Sequence, residues 1–504
     1  MNYCSTRSGE TVSPSYALLH GLAADGGLYV PETFPEQVLS SATLDHKSYQ
    51  ELTELVLSYF FTNFTAAERK ALAAAAYNAD TFRDARIVPL HSLDTDVTLA
   101  ELFHGRTLAF KDLALSLFPH LLTAARRQEG ECKDILILTA TSGDTGKAAL
   151  EGFKDVKGTH IMVFYPNDGV SPMQERQMRT QEGENVRVAA IQGNFDDAQS
   201  FLKRIFVDKD VRDYAAERNI LFSSANSINI GRLLPQIVYY AATYASLMEN
   251  GAVAAGEIVD VVVPTGNFGN ILAGYFAKKM GVPIGKLICA SNRNNVLTDF
   301  FKNGVYDMNR EFYTTDSPSM DILLSSNFER FLYYVAGGDT QRVAAWEDEL
   351  ARTGKMAVSA VELTSLRQDF DGDWIDDDET RAVISHVYND CGYLLDPHTA
   401  VAYGVYLNRR KRGLTEGRHT VVMATAHPYK FPPVICRALA LPEAADPFLA
   451  LGEISAVTSL GLPQPLADLR QKELCFNQTL EKEEMKKAVL AFIDTIYEKN
   501  KQKG

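Results

Sequence analysis

What the chain lacks narrows its class. Its six cysteines, Cys4, Cys132, Cys289, Cys391, Cys436 and Cys475, are scattered, and none belongs to a CxxC pair. That spacing gives neither a zinc signature nor a disulfide framework, so no metal site is expected and a reducing compartment suits it. No apolar run is long enough to span a bilayer; the nearest, Leu233 to Ala245, is interrupted by Pro235 and Gln236. The start of the chain is polar and mixed, without the apolar core of a secretory leader, so a cytoplasmic location is expected. Positive charge is also in deficit: a formal net charge of -14 argues against nucleic acid or an anionic membrane as partner. An acidic chain can still hold a locally basic pocket, so small anionic substrates stay open.

What is present is an ordinary globular composition, 46% hydrophobic and 23% charged, over 504 residues, enough for two or three domains. Residues 1–90 read as a small, mainly helical module, with helical spacing over Glu51 to Phe61 and Ala66 to Ala76. Residues 91–440 alternate apolar runs with helices, the pattern of parallel sheets covered on both faces. The clearest runs are Ile135 to Thr139, Ile161 to Tyr165, Val186 to Ile191, Ile258 to Val263, Leu287 to Ala290 and Thr420 to Ala424. The acidic stretch Gln368 to Glu379 reads as a solvated connection, and Arg409 to Arg412 as a favourable helix C-terminus before Gly413. Residues 441–504 read as a charged helical extension with a frayed lysine-rich end. No helical stripe is apolar enough to name an interface, which leaves a monomer or a homodimer.

In open α/β sheets, ligands gather beyond the carboxyl ends of the strands. Four loops occupy that position. The first, ELFHGRTLAFKD, puts Lys111 at the seam between a strand over Thr98 to Phe103 and a helix starting at Asp112. Apolar neighbours and the positive end of the helix both disfavour an ammonium, so the amine can serve as a nucleophile. The second, TSGDTG, offers Ser142, Thr145 and backbone amides to a carboxylate, ahead of a helix opening at Lys147. The third, PTGNFGN, offers amides of Gly266, Asn267, Phe268, Gly269 and Asn270 to a phosphate. The fourth, TAHPYKF, supplies the Thr425 hydroxyl, with His427 and Lys430 adding polar reach. Taken singly, Lys111 also reads as a solvated lysine and TSGDTG as a simply capped helix. Together, an amine, a carboxylate grip, a phosphate nest and a separate hydroxyl suit pyridoxal phosphate, bonded to a lysine and holding an amino-acid substrate.

The motifs YCSTRSGE, DGGLYVPE, ELFHGRTLAFKD, LTATSGDTG, ANSINIGRLLPQ, PTGNFGN, SNRNNVLTDFF, SPSMDILLSSNFER, DPHTAVAYG and ATAHPYKF run along nearly the whole chain. In them the sequence resembles the threonine synthase family, long form, of the tryptophan-synthase-β-like pyridoxal phosphate enzymes. The resemblance implies fold type II: two parallel-sheet α/β domains, an N-terminal module and a C-terminal extension. It implies that Lys111 bonds the cofactor aldehyde, that residues 266–270 take the cofactor phosphate, and that Thr425 meets the pyridine nitrogen. Ser142 and Thr145 would seat the substrate α-carboxylate. Asp144 stands where the wider class usually has an Asn facing the cofactor's phenolic oxygen, and an acid there needs a shared proton. The implied substrate is O-phospho-L-homoserine, whose phosphate needs a second anion site. Ser227, Asn229 and Arg232, with Asn226 nearby and Lys147 as a further candidate, would provide it. The implied reaction is elimination of phosphate from the γ-carbon and addition of water at the β-carbon, giving L-threonine. The alternatives are a phospholyase of the same family releasing a keto acid, and an inactive binding protein on the same scaffold.

Overall fold

A computed structural model of the chain describes residues 1–415, 417–442 and 446–503. Its strands sort into two parallel sheets. The larger runs in the order Phe370–Trp374, Ile284–Ser291, Val259–Pro264, Thr420–Ala424, Val97–Glu101, Leu90–Asp94, with only the last strand antiparallel. The smaller is parallel throughout, in the order Thr479–Glu481, Val186–Gln192, Thr159–Pro166, Asp134–Ala140, Ile220–Ser223. Its chain leaves the larger sheet after Val97–Glu101 and returns at Val259–Pro264, and segments following strands of both sheets line a common cleft. The central strands are buried on both faces, which explains why they read as continuous apolar runs.

The expected strands lie within three residues of those observed, and several connections correct the sequence reading. The N-terminal module carries helices at Pro14–His20, Ser41–Leu44, Tyr49–Phe60 and Ala66–Ala76, but also a three-stranded antiparallel sheet of Thr11–Val12, Tyr3–Ser5 and Tyr29–Pro31. The C-terminal segment is not purely helical. Thr479–Glu481 adds an edge strand to the smaller sheet, and Met485, Val489, Phe492 and Ile493 of Met485–Lys503 pack with Leu136 and Leu138. The acidic stretch is an edge strand, Phe370–Trp374, and not a solvated connection. Arg409 to Arg412 do close a helix, Pro397–Lys411, as expected, and they also neutralise this sheet edge: Asp371 pairs with Arg409, and Asp373 with Arg412 and Lys302. Residues 443–445, at the start of the expected C-terminal extension, lie outside the described residues.

The helix expected from Asp112 onward is two helices, Lys111–Leu115 and Phe118–Gln128. Pro119 cannot donate to the Leu115 carbonyl, which is instead approached by Gly152, where a Cβ would come within 2.3 Å. The break lets a short first turn, and not a long rod, present Lys111 to the cleft. Among the described residues no helix is long and apolar enough to cross a membrane.

Candidate active site

The loop bearing Lys111 is fixed from both sides. Phe110 N–H donates to the Thr425 carbonyl at 2.8 Å, and Ala109 bridges Ala426, so the first and fourth loops are zipped together. Behind them Asp112 accepts from the Thr107 amide at 2.8 Å and its hydroxyl at 2.6 Å. Burial pushes the Asp112 carboxyl up to about 6 despite these bonds. Gly105 is required here, because a Cβ would meet Asp112 at 2.4 Å. Lys111 Nζ lies 4.7 Å from the centre of the Phe110 ring. Burial lowers its ammonium to about 8, with Arg232 and Lys430 acting in the same direction and Asp144 opposing. The amine is thus poised near neutrality.

A single cavity collects Lys111, Ser227, Arg232, residues 266–270 and Thr425. The turn at 266–270 is held open by Phe268 in the left-handed region, φ 63°, at the start of helix Gly269–Lys279. Its ring packs on Phe301, Phe328, Phe331 and Phe370, which holds a conformation that phenylalanine disfavours. Asn270 Oδ1 accepts from Tyr239 and Tyr240 at 2.7 and 2.8 Å, while its buried Nδ2 has no acceptor. Arg232 is 2% exposed and pairs with no carboxylate among the described residues; one Nη donates to the Ala225 carbonyl, and Nε is orphaned. Burial lowers this guanidinium to about 10. A buried cation and a buried amide donor without acceptors point to anionic ligands. Beside the amine and the first-turn amides of 269–270, these donors fit a cofactor carrying an aldehyde and a phosphate, with a second anion at Arg232.

The second loop sits on the other sheet and contributes differently. Thr141 Oγ1 accepts from the Gly143 and Gly146 amides at 3.0 and 2.8 Å, so helix Asp144–Phe153 opens at Asp144, three residues before the expected Lys147. Ser142 and Thr145 are half-buried and do not line the Lys111 cavity; Ser142 faces the adjoining cleft with Phe312 and Asp316. Asp144 is 4% exposed and bonded through Oδ1 to Gln174 at 2.8 Å and Lys430 at 2.5 Å. Burial pushes its carboxyl up, but the Lys430 ammonium and Gln174 outweigh that and hold it below the usual range. Within the protein, Lys430 is thus the counter-charge to the Asp144 carboxylate.

Besides Ser142, Asp144 and Thr145 on the second loop, Lys147 and Asn229 do not line the cavity either. Lys147 is bound to Glu151 at 3.1 Å and to Gln181, in a separate hollow with Arg106 and Lys472. Asn229 donates to the Leu18 carbonyl at 2.8 Å and accepts from the Gly231 amide at 2.9 Å, tying the N-terminal module to a helix start. Conversely, Gln236, Ser319, Met320 and His398 line the cavity without having been singled out. His398 carried a signal: it follows Asp396, whose carboxylate meets its Nδ1 at 2.8 Å, leaving Nε2 to accept from the Ser319 amide at 3.1 Å. His427 points elsewhere, and burial, reinforced by Arg83, lowers its imidazole to about 3.

A lysine amine, an amide turn for phosphate and a second sheet closing over them define a pyridoxal phosphate-dependent enzyme, and the family model of that description matches residues 79–426. Models of the threonine synthase N terminus and C-terminal region match residues 2–77 and 399–493. Threonine synthase of Pseudomonas aeruginosa is 39% identical, over 94% of each chain. The pyridoxal phosphate-bound threonine synthase structure from Brucella melitensis superimposes with a TM-score of 0.85 at 38% identity, covering 98% of both chains. The chain belongs to the threonine synthase family. It is also 41% identical to human threonine synthase-like 1 over 85% of its own length, but spans only 58% of that relative.

Proposed function

We propose that the protein is a threonine synthase, a lyase converting O-phospho-L-homoserine and water to L-threonine and phosphate. The observation that carries this is the convergence of a near-neutral Lys111 amine, the 266–270 amide turn and an unpaired buried Arg232 in one cavity. In this reading residues 1–90 form the N-terminal module, 91–440 the catalytic region and 441–504 the C-terminal extension. We place the enzyme in the cytoplasm, in keeping with its six free cysteines, as a monomer or homodimer.

Gly266, Asn267, Phe268, Gly269 and Asn270 hold the cofactor phosphate, with Asn270 Nδ2 supplying a side-chain donor. Pyridoxal phosphate, when bound, supplies an aldehyde for the substrate amine and a ring that accepts the electron pair left at the α-carbon. Thr425 offers its hydroxyl, which no protein group engages among the described residues, to the pyridine nitrogen. Lys111, once its amine is released, takes the proton from the α-carbon and returns it at the end, which a pKa near 8 suits. Ser142, Thr145 and the open first-turn amides of Asp144–Phe153 seat the α-carboxylate. Arg232 and Ser227 bind the γ-phosphate. A fork fixed at one end by the Ala225 carbonyl orients that leaving group.

Incubating the protein with O-phospho-L-homoserine and measuring threonine, 2-oxobutyrate and phosphate tests the proposal. Threonine and phosphate in equal amounts are expected. Phosphate with 2-oxobutyrate would replace the synthase with a phospholyase, and no phosphate at all would overturn the substrate.

A further inference from the structure

Lys430 is fully buried, 0% exposed, and it lies where three loops meet. Its Nζ is 2.5 Å from Asp144 Oδ1 on the smaller sheet and donates to the Thr107 carbonyl at 2.9 Å in the Lys111 loop. Its own carbonyl accepts from Ser171 Oγ at 3.2 Å, and Ser171 caps the helix that carries Gln174, the other donor to Asp144. Both donors use Oδ1. Among the described residues nothing in the protein donates to Oδ2.

A buried ion pair is weak evidence for stability, since desolvation cancels much of its attraction; breaking it leaves one uncompensated charge. Here that charge would stand beside Lys111. Asp144 draws a proton onto the Lys111 nitrogen and Lys430 repels it, so the two oppose each other at the amine, on which burial and Arg232 act more strongly. The surrounding groups are accounted for: Lys111 faces Arg232, Asp144 and Lys430; Asp144 also faces His398; Lys430 also faces Asp112 and His427.

We propose that Lys430 is a positioning residue: it holds Asp144 as a carboxylate with Oδ2 free for a donor on the bound cofactor or substrate, and balances its charge at Lys111. This deepens the reading above and rests on it only for the presence of the cofactor.

The test uses the holoenzyme and the pH midpoint of the visible band of its bound cofactor, compared for Lys430→Met, Asp144→Asn and the double variant. Lys430→Met leaves an unopposed carboxylate and is expected to raise the midpoint. Asp144→Asn leaves an unopposed ammonium and is expected to lower it, each by about one pH unit, a tenfold change in proton affinity. The double variant is expected to return close to the parent, a cancellation that loss of packing alone would not produce. Midpoints that stay put in both single variants, or move the same way, overturn the proposal. Should Lys430→Met fail to fold, the nearly isosteric Asp144→Asn decides alone: a fall supports the proposal and no change overturns it. A failed substrate reading would show itself separately, as an intact, titrating band without threonine.

Discussion

Two turns that each start with a threonine and hold two glycines, Thr141–Gly146 and Thr265–Asn270, leave parallel strands and open helices, yet they work on opposite principles. In the first, the Thr141 hydroxyl captures two of the turn's own amides, and the tight Gly143, φ 131°, lies against Gln174. In the second, a strained phenylalanine holds the turn, and an asparagine amide is left without an acceptor. One turn ties two of its amides inward and faces the adjoining cleft; the other is anchored from behind and faces the Lys111 cavity. A permanently held cofactor suits the second, and a substrate group that enters and leaves with each turnover suits the first.

Removing the anchor should separate the two most. Phe268→Ala deletes a ring packed among Phe301, Phe328, Phe331 and Phe370, and is expected to lower unfolding free energy by about 3–5 kcal/mol in denaturant titration. Ser142→Ala, on the half-buried turn, should stay within about 0.5 kcal/mol. Next come the glycines. A Cβ at Gly266 would fall 2.4 Å from the Ser319 backbone carbonyl, so Gly266→Ala should weaken cofactor affinity by roughly ten- to hundredfold, the 1–3 kcal/mol of overpacking. At Gly143 the clash is with the Gln174 side chain at 2.5 Å, so Gly143→Ala should act on substrate KM and leave cofactor affinity closer to the parent. Smaller again, Asn270→Ala should weaken the cofactor by about tenfold, one good hydrogen bond, with substrate KM little changed. Thr145→Ala should do the reverse, raising KM with the cofactor still bound. The mildest test is of pH. In the cofactor-free protein an amine-selective reagent should react with Lys111 at half its maximal rate near pH 8, the rate rising as pH increases and the ammonium gives up its proton.

The parts of the site legible in the sequence were those written locally. A strand, a glycine-bearing turn and a helix start announce themselves within a dozen residues, which is why Lys111 and the 266–270 turn, which share one cavity, stand out in the sequence. Pairings between distant segments were not legible: Asp144 with Lys430, or the acidic edge strand with Arg409 and Arg412, need the tertiary fold to bring them together. Nor can a helix-start side chain reveal which way it faces. Arg232 and Asn229 sit three residues apart in one motif, yet the arginine lines the cavity and the asparagine ties down the Leu18 carbonyl. Lys147 was drawn off by Glu151, one helical turn along. The break at Pro119 and the edge strand Thr479–Glu481 were missed because each depends on what packs against it.

The central claim is that one amine does both jobs, bonding the cofactor and moving the α-proton. Replacing it tests that most directly: Lys111→Ala should lose threonine formation and the cofactor's borohydride-bleachable visible band together, with the fold intact by circular dichroism. A Lys111→Ala protein that kept a normal rate on O-phospho-L-homoserine would contradict it.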